Sequence, residues 1–357
     1  MKILVISNMY PSRSDGVYGT FVKVFFENLH KVYPYTELIA IKGKRNGYRK
    51  LIQYIIFYVS IIYKLLIQKY DFVYIHTISH TSPPLRISNA LRKQNLVFNI
   101  HGDDLITTTK LASKLRDLSL PLLRRAKLIV VPTTYFKNIL LAKYPWIKQD
   151  NIFISPSGGL NKSFYNNSPK PVNKIPIIGY VSRIDKGKGW EYLIDALKEL
   201  VKDGYKMKVY IVGSGYQEND LINKIDKENL SDTISYKGPL THAELPNFYH
   251  SLDWFIFPTY RQGESLGLVG LEAMAGGTPV IGSDIAGLKS YIIDNNNGYL
   301  IPPQDSKALA SKIKYAISLN KSEKELLSKN AYETALKYES SRVNEILFSK
   351  LKSIFQI

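Results

Sequence analysis

The chain of 357 residues contains no cysteine, which excludes disulfide bonds, thiolate zinc sites, iron–sulfur clusters and a cysteine nucleophile. Acidic residues are scarce in the first half, where residues 1–172 carry 25 Lys and Arg against 8 Asp and Glu, a net charge of +17. Residues 173–357 carry 23 against 22, a net charge of +1. Either the first half meets a polyanionic partner, such as nucleic acid, an anionic membrane or a phosphorylated substrate, or its surface is merely basic.

Long, uninterrupted apolar runs are also missing. The N-terminal run Ile3–Ile6 is shorter than the core of about 7 residues that a secretory signal needs, so we expect a first β-strand and a cytoplasmic protein. The segment Leu51–Ile67 is apolar but contains Gln53, Ser60 and Lys64. It is either a helix buried against a sheet or an interfacial helix held at anionic lipid, and a buried helix whose outer face meets lipid satisfies both. The cations directly before it are Lys42, Lys44, Arg45, Arg49 and Lys50.

Short β-branched runs alternate with helical stretches along the chain. In the first half the runs are Ile3–Ser7, Glu37–Ile41, Phe72–His76, Leu96–Ile100, Leu128–Val131 and Asn151–Ser155. In the second half they are Ile177–Val181, Lys208–Val212, Thr233–Tyr236, Trp254–Phe257, Pro279–Ile281 and Gly298–Ile301. This alternation predicts an α/β fold with two doubly wound, Rossmann-like domains. The polar, proline-rich stretch 166–176 separates them, which gives domains at 1–168 and 177–340, a linker at 169–176, and a helix at 341–357 that packs back on the first domain.

The strongest candidate site lies in residues 261–279, where Glu264 and Glu272 are separated by seven residues. Pro258 ends a strand, and a helix is expected to begin near Gly267, so that Glu264 falls in the loop and Glu272 inside the helix. The free amides of a helix start bind anions, and Gly267 lets a phosphate approach the backbone. Glu272 suits bonding to ribose hydroxyls, and Glu264 could hold a sugar ring. An ordinary helix with solvated glutamates would not explain a charge within the apolar stretch 268–274.

This segment resembles the E-x7-E motif of family 4 retaining glycosyltransferases of the GT-B fold. Four further blocks resemble motifs of that family in the same order: Ile154–Gly159, Ser182–Gly189, Val212–Gly215 and Ser251–Thr259. Two positions depart from the family pattern. Ser290 stands where an acidic residue is usual, and Ser157 replaces the usual asparagine.

The resemblance implies roles for individual residues. Arg183 and Lys188 would contact the diphosphate of the donor, and Glu264 the donor sugar. His101, in a block that resembles the family's H-G-x-D, would face the donor sugar or the reaction centre. The remaining donor-binding residues would be Gly16, Gly19, Ser265, Leu266, Gly267, Leu268 and Glu272. No DxD motif is present, and the family implies neither a metal nor another cofactor.

By the same resemblance, we expect a retaining enzyme that moves a hexose-type sugar from a nucleotide-diphosphate sugar, UDP being the commonest carrier, to a hydroxyl group. The basic domain 1–168 would bind the acceptor, a polyprenyl-diphosphate-linked saccharide, and would face an anionic membrane. The pathway would be O-antigen lipopolysaccharide, capsule or exopolysaccharide synthesis at the cytoplasmic face of the cell membrane. A second cationic cluster supports this orientation, and its members are Lys110, Lys114, Arg116, Arg124, Arg125 and Lys127.

Other classes of protein remain as alternatives. A nucleic-acid-binding protein would use the same basic surface, but no RNP-like, zinc-finger or KH motif is present, so no nucleic acid is expected. A non-catalytic sugar-binding relative of these enzymes is a second alternative, and the presence of Arg183, Lys188, Glu264 and Glu272 together argues against it. A GT-B epimerase or phosphorylase is the nearest alternative among enzymes.

Overall fold

A computed structural model describes residues 1–12, 18–43, 45–106 and 109–356, which form two compact units. The first unit comprises Met1–Gly159 and Ser340–Ile357, and the second Leu160–Glu339. The strands of the first unit are β1 Ile3–Tyr10, β2 Thr36–Lys42, β3 Phe72–His76, β4 Leu96–Asn99, β5 Leu128–Val131 and β6 Ile152–Ile154. Those of the second are β7 Ile177–Val181, β8 Lys208–Val212, β9 Ile234–Gly238, β10 Trp254–Phe257, β11 Val280–Ser283 and β12 Gly298–Ile301.

Helices connect these strands. The first unit has α1 Thr20–Val32, α2 Gly47–Ile67, α3 Ser82–Leu91, α4 Gly102–Leu105, α5 Lys110–Asp117, α6 Leu120–Leu123, α7 Thr134–Lys143 and α14 Ser340–Phe355. The second has α8 Trp190–Lys202, α9 Glu218–Lys227, α10 Leu245–Ser251, α11 Leu268–Ala275, α12 Ser306–Ser318 and α13 Lys321–Leu336. Short 3-10 turns occur at Gln149–Asn151, Lys162–Phe164 and Ala286–Ser290.

Each unit contains one parallel sheet of six strands. The strand order is β2-β1-β3-β4-β5-β6 in the first unit and β12-β11-β10-β7-β8-β9 in the second. Every predicted strand is therefore present, with small shifts at the ends, and the predicted pair of doubly wound sheets is confirmed. Such orders reverse direction at one point, between β1 and β3 in the first sheet and between β7 and β10 in the second, which is where open α/β sheets bind ligands.

The strands read as continuous apolar runs because both faces of each sheet are covered. In β1, Leu4 and Ile6 belong to one buried cluster with Phe57 of α2, whereas Ile3 and Val5 belong to the cluster on the opposite face. Parallel strands with helices on both sides are buried throughout, which removes the alternation of polar and apolar residues seen in half-exposed strands.

The C-terminal helix α14 completes the first unit. The Phe348 ring lies 6.0 Å from the ring of Phe25, and Phe355 stacks on Phe72 at 4.5 Å. The chain enters the second unit at Leu160, before the boundary at 168 that the proline-rich stretch suggested, because Leu160 and Phe164 are buried in the core of the second unit.

The helix α2 differs from the simplest expectation of a buried helix. Within the described residues, it is the one helix that length and composition would allow to cross a bilayer. Only 17% of its most apolar stretch of 18 residues is buried, however. Phe57, Ile61 and Leu65 pack on the sheet, and the opposite face is exposed.

Part of the second cationic cluster also differs from expectation. The Arg116 side chain is buried, donates a hydrogen bond to Ser113 Oγ at 2.8 Å and pairs with Asp117 at 3.3 Å. Arg116 is therefore part of the packing of α5, whereas the other five cations of this cluster are exposed.

The packing of α14 predicts that its buried face carries stability. Leu351 is fully buried, so Leu351→Ala should lower the free energy of unfolding by about 2–5 kcal/mol through lost burial and the cavity left behind. The matched control is Ile346→Ala on the same helix, whose side chain is 54% exposed and which should change stability by less than about 0.5 kcal/mol. Urea unfolding followed by circular dichroism compares them, and equal losses would contradict this role for α14.

Candidate active site

Two loops of the second unit meet at the carboxyl ends of adjacent strands. Residues 182–189 follow β7, and residues 258–267 follow β10. Because β7 and β10 flank the point where the strand order reverses, both loops reach the edge at which a doubly wound sheet binds its ligand.

Glycines bring the first of these loops close to the second. Gly187 and Gly189 have φ of +95° and +79°, in the left-handed region that favours glycine. A side chain at Gly189 would collide with the carbonyl oxygen of Pro258, and one at Gly187 would meet Arg261 Cγ at 2.6 Å. Hydrogen bonds to the Gly187 carbonyl from the Tyr260 amide, 2.9 Å, and Thr259 Oγ1, 3.1 Å, tie the loops together.

A nearly buried ion pair joins the two loops. Lys188 Nζ lies 2.6 Å from Glu264 Oε2, and the two side chains are 11% and 15% exposed. Burial alone would raise the pKa of Glu264, but the charge and hydrogen bond of Lys188 outweigh it and hold this pKa below its ordinary value. Thr259 Oγ1 lies 3.4 Å from the same carboxylate oxygen. The structure thus brings together two of the residues predicted for the site, with the carboxylate charged.

Arg183 occupies a more open position on the same loop. Its guanidinium pairs with Asp185 Oδ2 at 2.9 Å and is 55% exposed. Asp185 Oδ1 also accepts a hydrogen bond from the Tyr216 amide at 3.0 Å, so the carboxylate ties the cation to the segment after β8. Asp185 was not predicted as a site residue, although its position two residues after Arg183 was the available signal.

The helix α11 begins as the sequence predicted. Gly267 has φ of +77°, and a Cβ there would lie 2.6 Å from Phe257 Cε1, so the turn into the helix requires glycine. The Tyr291 hydroxyl donates to the Gly267 carbonyl at 3.1 Å and fixes the turn. Leu266 is buried, Ser265 precedes it in the loop, and Leu268 is the first residue of α11. The first amides of a helix have no partner within it and can bind an anion.

Glu272 lies one turn inside α11, where its carboxylate accepts a hydrogen bond from the Tyr249 hydroxyl at 3.0 Å. Burial raises the pKa of Glu272 to about 7, although the bond from Tyr249 acts in the opposite direction. The two glutamates of the motif therefore have pKa values shifted in opposite directions. The sequence could not identify Tyr249 as the partner, because it lies on another helix, α10, 23 residues away.

The first unit contains a cluster of its own around His101. His101 Nε2 lies 3.4 Å from His76 Nδ1, and the backbone amides of His101 and Ile78 donate to the Asp104 carboxylate at 3.0 and 3.1 Å. Burial lowers the pKa of His101 to about 4 and raises that of Asp104 to about 6. His76, which the sequence did not single out, is also buried, and burial together with the nearby His101 lowers its pKa well below the ordinary value.

The predicted glycine loop of the first unit is described in part. Gly19 precedes α1 with φ of +76°, and a Cβ there would lie 2.7 Å from the carbonyl carbon of Met9 in β1. Gly16 and the predicted surface residue Lys44 lie outside the described residues. Among the residues that the structure describes, no group of three His, Cys, Asp or Glu side chains is placed to hold a metal ion.

The buried ion pair predicts a stability effect. Lys188→Met removes the ammonium partner of the buried Glu264 carboxylate, which should cost about 3–5 kcal/mol of unfolding free energy at neutral pH. Adding Glu264→Gln should recover part of that loss, because no uncompensated charge remains. Lys186→Met on the same loop, where Lys186 is exposed, is the control and should have little effect. Denaturant unfolding of these three variants, of Glu264→Gln alone and of the wild type tests this, and additive losses from the two site substitutions would contradict the pairing.

Glu272 predicts a pH effect with a defined sign. Its folded pKa of about 7 lies above the unfolded value of 4.5, so the folded state holds the proton more tightly and wild-type stability falls as pH rises from about 4.5 to 7. Glu272→Gln should therefore gain stability relative to wild type over this range, by up to about 3 kcal/mol, and the difference should level off above pH 7. Thermal unfolding from pH 5 to 8 measures the difference, and a constant difference would refute the shifted pKa.

Comparison with known proteins bears on the second unit in particular. Residues 161–334 match the family described as glycosyl transferases group 1. The chain is 32% identical over 187 residues, 52% of its length and 47% of the relative's, to the capsular polysaccharide biosynthesis glycosyltransferase CapM of Staphylococcus aureus. It is 28% identical over 234 residues, 63% of its length and 44% of the relative's, to the GtfA subunit of a UDP-N-acetylglucosamine–peptide N-acetylglucosaminyltransferase of Streptococcus gordonii. The chain thus spans about half the length of the curated relatives it matches.

Solved structures share the fold over the whole chain. Anabaena HepE in complex with UDP and glucose superposes with a TM-score of 0.77 at 16% identity, covering 99% of this chain and 100% of that one. Sucrose-phosphate synthase from Thermosynechococcus elongatus gives 0.79 at 19% identity, with 100% of both chains covered. Together with the sheet orders, these results show that the chain has the GT-B fold, and residues 161–334 of its second unit match the glycosyl transferases group 1 family.

Proposed function

We propose that the protein is a retaining glycosyltransferase that moves a hexose-type sugar from a nucleotide-diphosphate sugar, with UDP as the carrier, to a hydroxyl of a lipid-linked saccharide in surface polysaccharide synthesis. The observation that carries this proposal is the Lys188–Glu264 pair, which lies beside the start of α11 at the reversal point of the second sheet. Both partners lie within the segment that matches the glycosyl transferases group 1 family.

The donor would bind to the second unit through its diphosphate. Lys188 and the exposed Arg183 are fixed cations on one loop, and the amides at the start of α11 add partial positive charge. Such groups stabilise the negative charge that develops on a departing diphosphate. Because these cations supply the neutralisation, the proposed reaction requires neither a metal ion nor another cofactor.

The two glutamates would act on different parts of the donor. Glu264 is charged and held by Lys188, so its carboxylate can accept hydrogen bonds from sugar hydroxyls. Glu272 lies on α11 with Tyr249 and would bond to the ribose hydroxyls. A carboxyl group with a pKa of about 7 changes protonation near neutrality, so donor binding is expected to favour its ionised form, which accepts both hydroxyl hydrogen bonds.

The transfer would occur with both bond changes on one face of the sugar. The bond from the anomeric carbon to the phosphate oxygen breaks, and a bond to the acceptor oxygen forms on the same side, which retains the configuration. The acceptor proton passes to the departing phosphate oxygen, so no side-chain base is required. His101, whose burial keeps it neutral at physiological pH, would contact the donor sugar by hydrogen bonding rather than act as a fixed cation.

The relatives support the substrate class. HepE was solved with UDP and glucose, and CapM is named for capsular polysaccharide biosynthesis. For the acceptor, we propose a saccharide on a polyprenyl diphosphate, because the first unit is basic and presents exposed cations, among them Arg124 and Arg125. Such an acceptor would place the protein at the cytoplasmic face of the cell membrane.

Substitution of the cations tests the proposed site. Arg183→Ala and Lys188→Ala should each lower kcat by about 10²–10³-fold, since each removes charge stabilisation from the leaving group. Arg183 is 55% exposed, so its variant should fold normally even where Lys188→Ala is destabilised. Lys186→Ala, on the same loop and exposed, should retain wild-type turnover. Wild-type rates in Arg183→Ala and Lys188→Ala would refute the assignment.

The assay is hydrolysis and transfer measured across UDP-, GDP- and ADP-sugars, with thermal shift as the readout of binding. UDP-sugars should give the largest shift, and a chelator should leave turnover unchanged. Proton NMR of the glycosylated product should show the anomeric configuration of the donor, and an inverted product would overturn the proposed stereochemistry.

A further inference from the structure

The helix α2 presents an apolar face that the rest of its unit does not cover. Its buried residues Phe57, Ile61 and Leu65 recur every four positions and lie along one side. The opposite side carries aliphatic and aromatic side chains that are 50–63% exposed. Six of them are Leu51, Ile52, Ile55, Ile56, Val59 and Tyr63.

A second helix extends this face. The Arg92 guanidinium, just after α3, donates to the Leu66 carbonyl at 2.9 Å, and Gln94 Nε2 donates to the Leu65 carbonyl at 3.1 Å. These bonds hold the end of α3 beside the end of α2. Ile87 and Leu91 of α3 are 53% and 70% exposed, so the apolar surface covers parts of both helices. We call it the α2–α3 face.

Charge is absent from the α2 part of the face and concentrated at the ends of that helix, whereas α3 carries one exposed cation, Arg86, beside Ile87. No charged residue occurs between Leu51 and Tyr63, and the next one, Lys64, is bonded to Glu37 at 2.7 Å. Arg45, Arg49 and Lys50 are exposed at the amino end of α2, and Lys69 and Lys93 are exposed near its carboxyl end. Within the described residues none of these five cations forms an ion pair with a carboxylate, so their charge is available to an anionic partner.

The chemistry of the face fits lipid better than protein. Its side chains are almost all aliphatic and offer few hydrogen-bonding groups, whereas protein interfaces are enriched in aromatic residues and arginine and carry about one hydrogen bond per 100–200 Å². Aliphatic side chains between clusters of unpaired cations match the acyl boundary and the headgroups of an anionic bilayer, which attracts each nearby cation by about 1 kcal/mol.

The packing of α2 on the sheet limits the orientation in which this helix can meet a bilayer. With 21 residues, α2 is about 31 Å long and could span the hydrocarbon core by length alone. Spanning would withdraw Phe57, Ile61 and Leu65 from the buried cluster that they share with Leu4 and Ile6 of β1. The helix can keep this packing only if it lies parallel to the membrane surface.

We propose that the α2–α3 face lies flat in the interfacial region of an anionic bilayer and attaches the first unit to it without crossing it. This inference deepens the membrane location that belongs to the proposed function, and it names the surface responsible. It can be tested without sugar transfer, so the two proposals can fail separately.

Flotation with lipid vesicles tests the proposal. The full chain should float with vesicles of phosphatidylglycerol and phosphatidylcholine, and weakly with phosphatidylcholine alone or at high salt. The triple variant Ile55→Ser/Ile56→Ser/Val59→Ser should bind the anionic vesicles at least about tenfold more weakly, through lost burial of apolar surface. Its matched control is Leu326→Ser/Leu336→Ser/Ile346→Ser, which alters exposed apolar residues elsewhere and should bind as wild type.

Charge reversal separates the contribution of the cations to lipid binding from that of the apolar side chains. Arg49→Glu/Lys50→Glu should weaken binding to anionic vesicles by at least about tenfold and leave binding to neutral vesicles unchanged. The control Lys202→Glu/Lys206→Glu makes the same change of net charge on exposed residues of the second unit. Equal losses in the two variants would mean that net charge alone drives binding, which would overturn the role of this face.

The lack of cysteine allows the depth of the face to be measured directly. A single cysteine introduced by Ile56→Cys and labelled with an environment-sensitive fluorophore should shift to the blue on addition of anionic vesicles, whereas Leu326→Cys should not. Sedimentation without lipid tests the other occupant, a second copy of the chain. A wild-type dimer, together with a triple-serine monomer that still floats, would overturn the proposal.

The outcomes distinguish this inference from the proposed function. Failure to float, combined with sugar transfer to a soluble acceptor, would overturn the membrane face alone. Flotation that depends on the α2–α3 face, combined with no transfer from any nucleotide sugar, would support the face and contradict the enzymatic proposal.

Discussion

The buried pair between Lys188 and Glu264 is the interaction on which the two loops of the candidate site depend. Removing two charges from water is costly, and a buried pair contributes little net stability compared with apolar packing. Further contacts accompany the pair: Thr259 Oγ1 bonds to the Gly187 carbonyl of the other loop and lies 3.4 Å from the Glu264 carboxylate within its own loop. Gly187 and Gly189 are needed for the approach because side chains there would strike Arg261 and Pro258. A cation fixed in this way needs no rearrangement when negative charge develops beside it, which is the requirement for electrostatic catalysis.

The two glutamates of the motif are eight residues apart, yet their surroundings give their carboxyl groups different pKa values. Glu264 faces an ammonium group and stays ionised, whereas Glu272 accepts a hydrogen bond from the Tyr249 hydroxyl and burial raises its pKa to about 7. Carboxyl groups whose environments push their pKa values apart are suited to different tasks. A permanently charged acceptor suits a sugar bound next to cations, and a carboxyl group that titrates near neutrality links ribose binding to pH. The sequence shows the spacing of these residues but not the environments that separate them.

Features that depend on residues close together in the sequence were predicted, whereas features that depend on residues far apart were not. Strands such as β3, β5, β7 and β10 were predicted with their observed ends because a strand buried on both faces is a short run rich in β-branched and aromatic residues, which is a local signal. The turn at Gly267 was likewise local. The partnership of Tyr249 with Glu272, of His76 with His101, and the place of Phe164 in the second core depend on residues far apart in sequence. The sequence could not predict the exposure of α2 either, because the sequence of an apolar helix is the same whether or not a neighbouring element covers it.

The few acidic groups of the first half are bonded to nearby partners, and their placement determines where the net positive charge of this half acts. Glu37 is engaged by Lys64 and Tyr70, Asp104 by backbone amides, and Asp117 by Arg116. Each of these carboxylates is bonded to a partner in its own unit, so it does little to neutralise the cations at the ends of α2. Because exposed charges are screened within about 8–10 Å at physiological salt, only cations close to a bound surface add to its attraction. The clusters at the two ends of α2 meet that condition for a surface that covers the helix, so in this unit the placement of cations, more than their number, determines where an anionic partner is held.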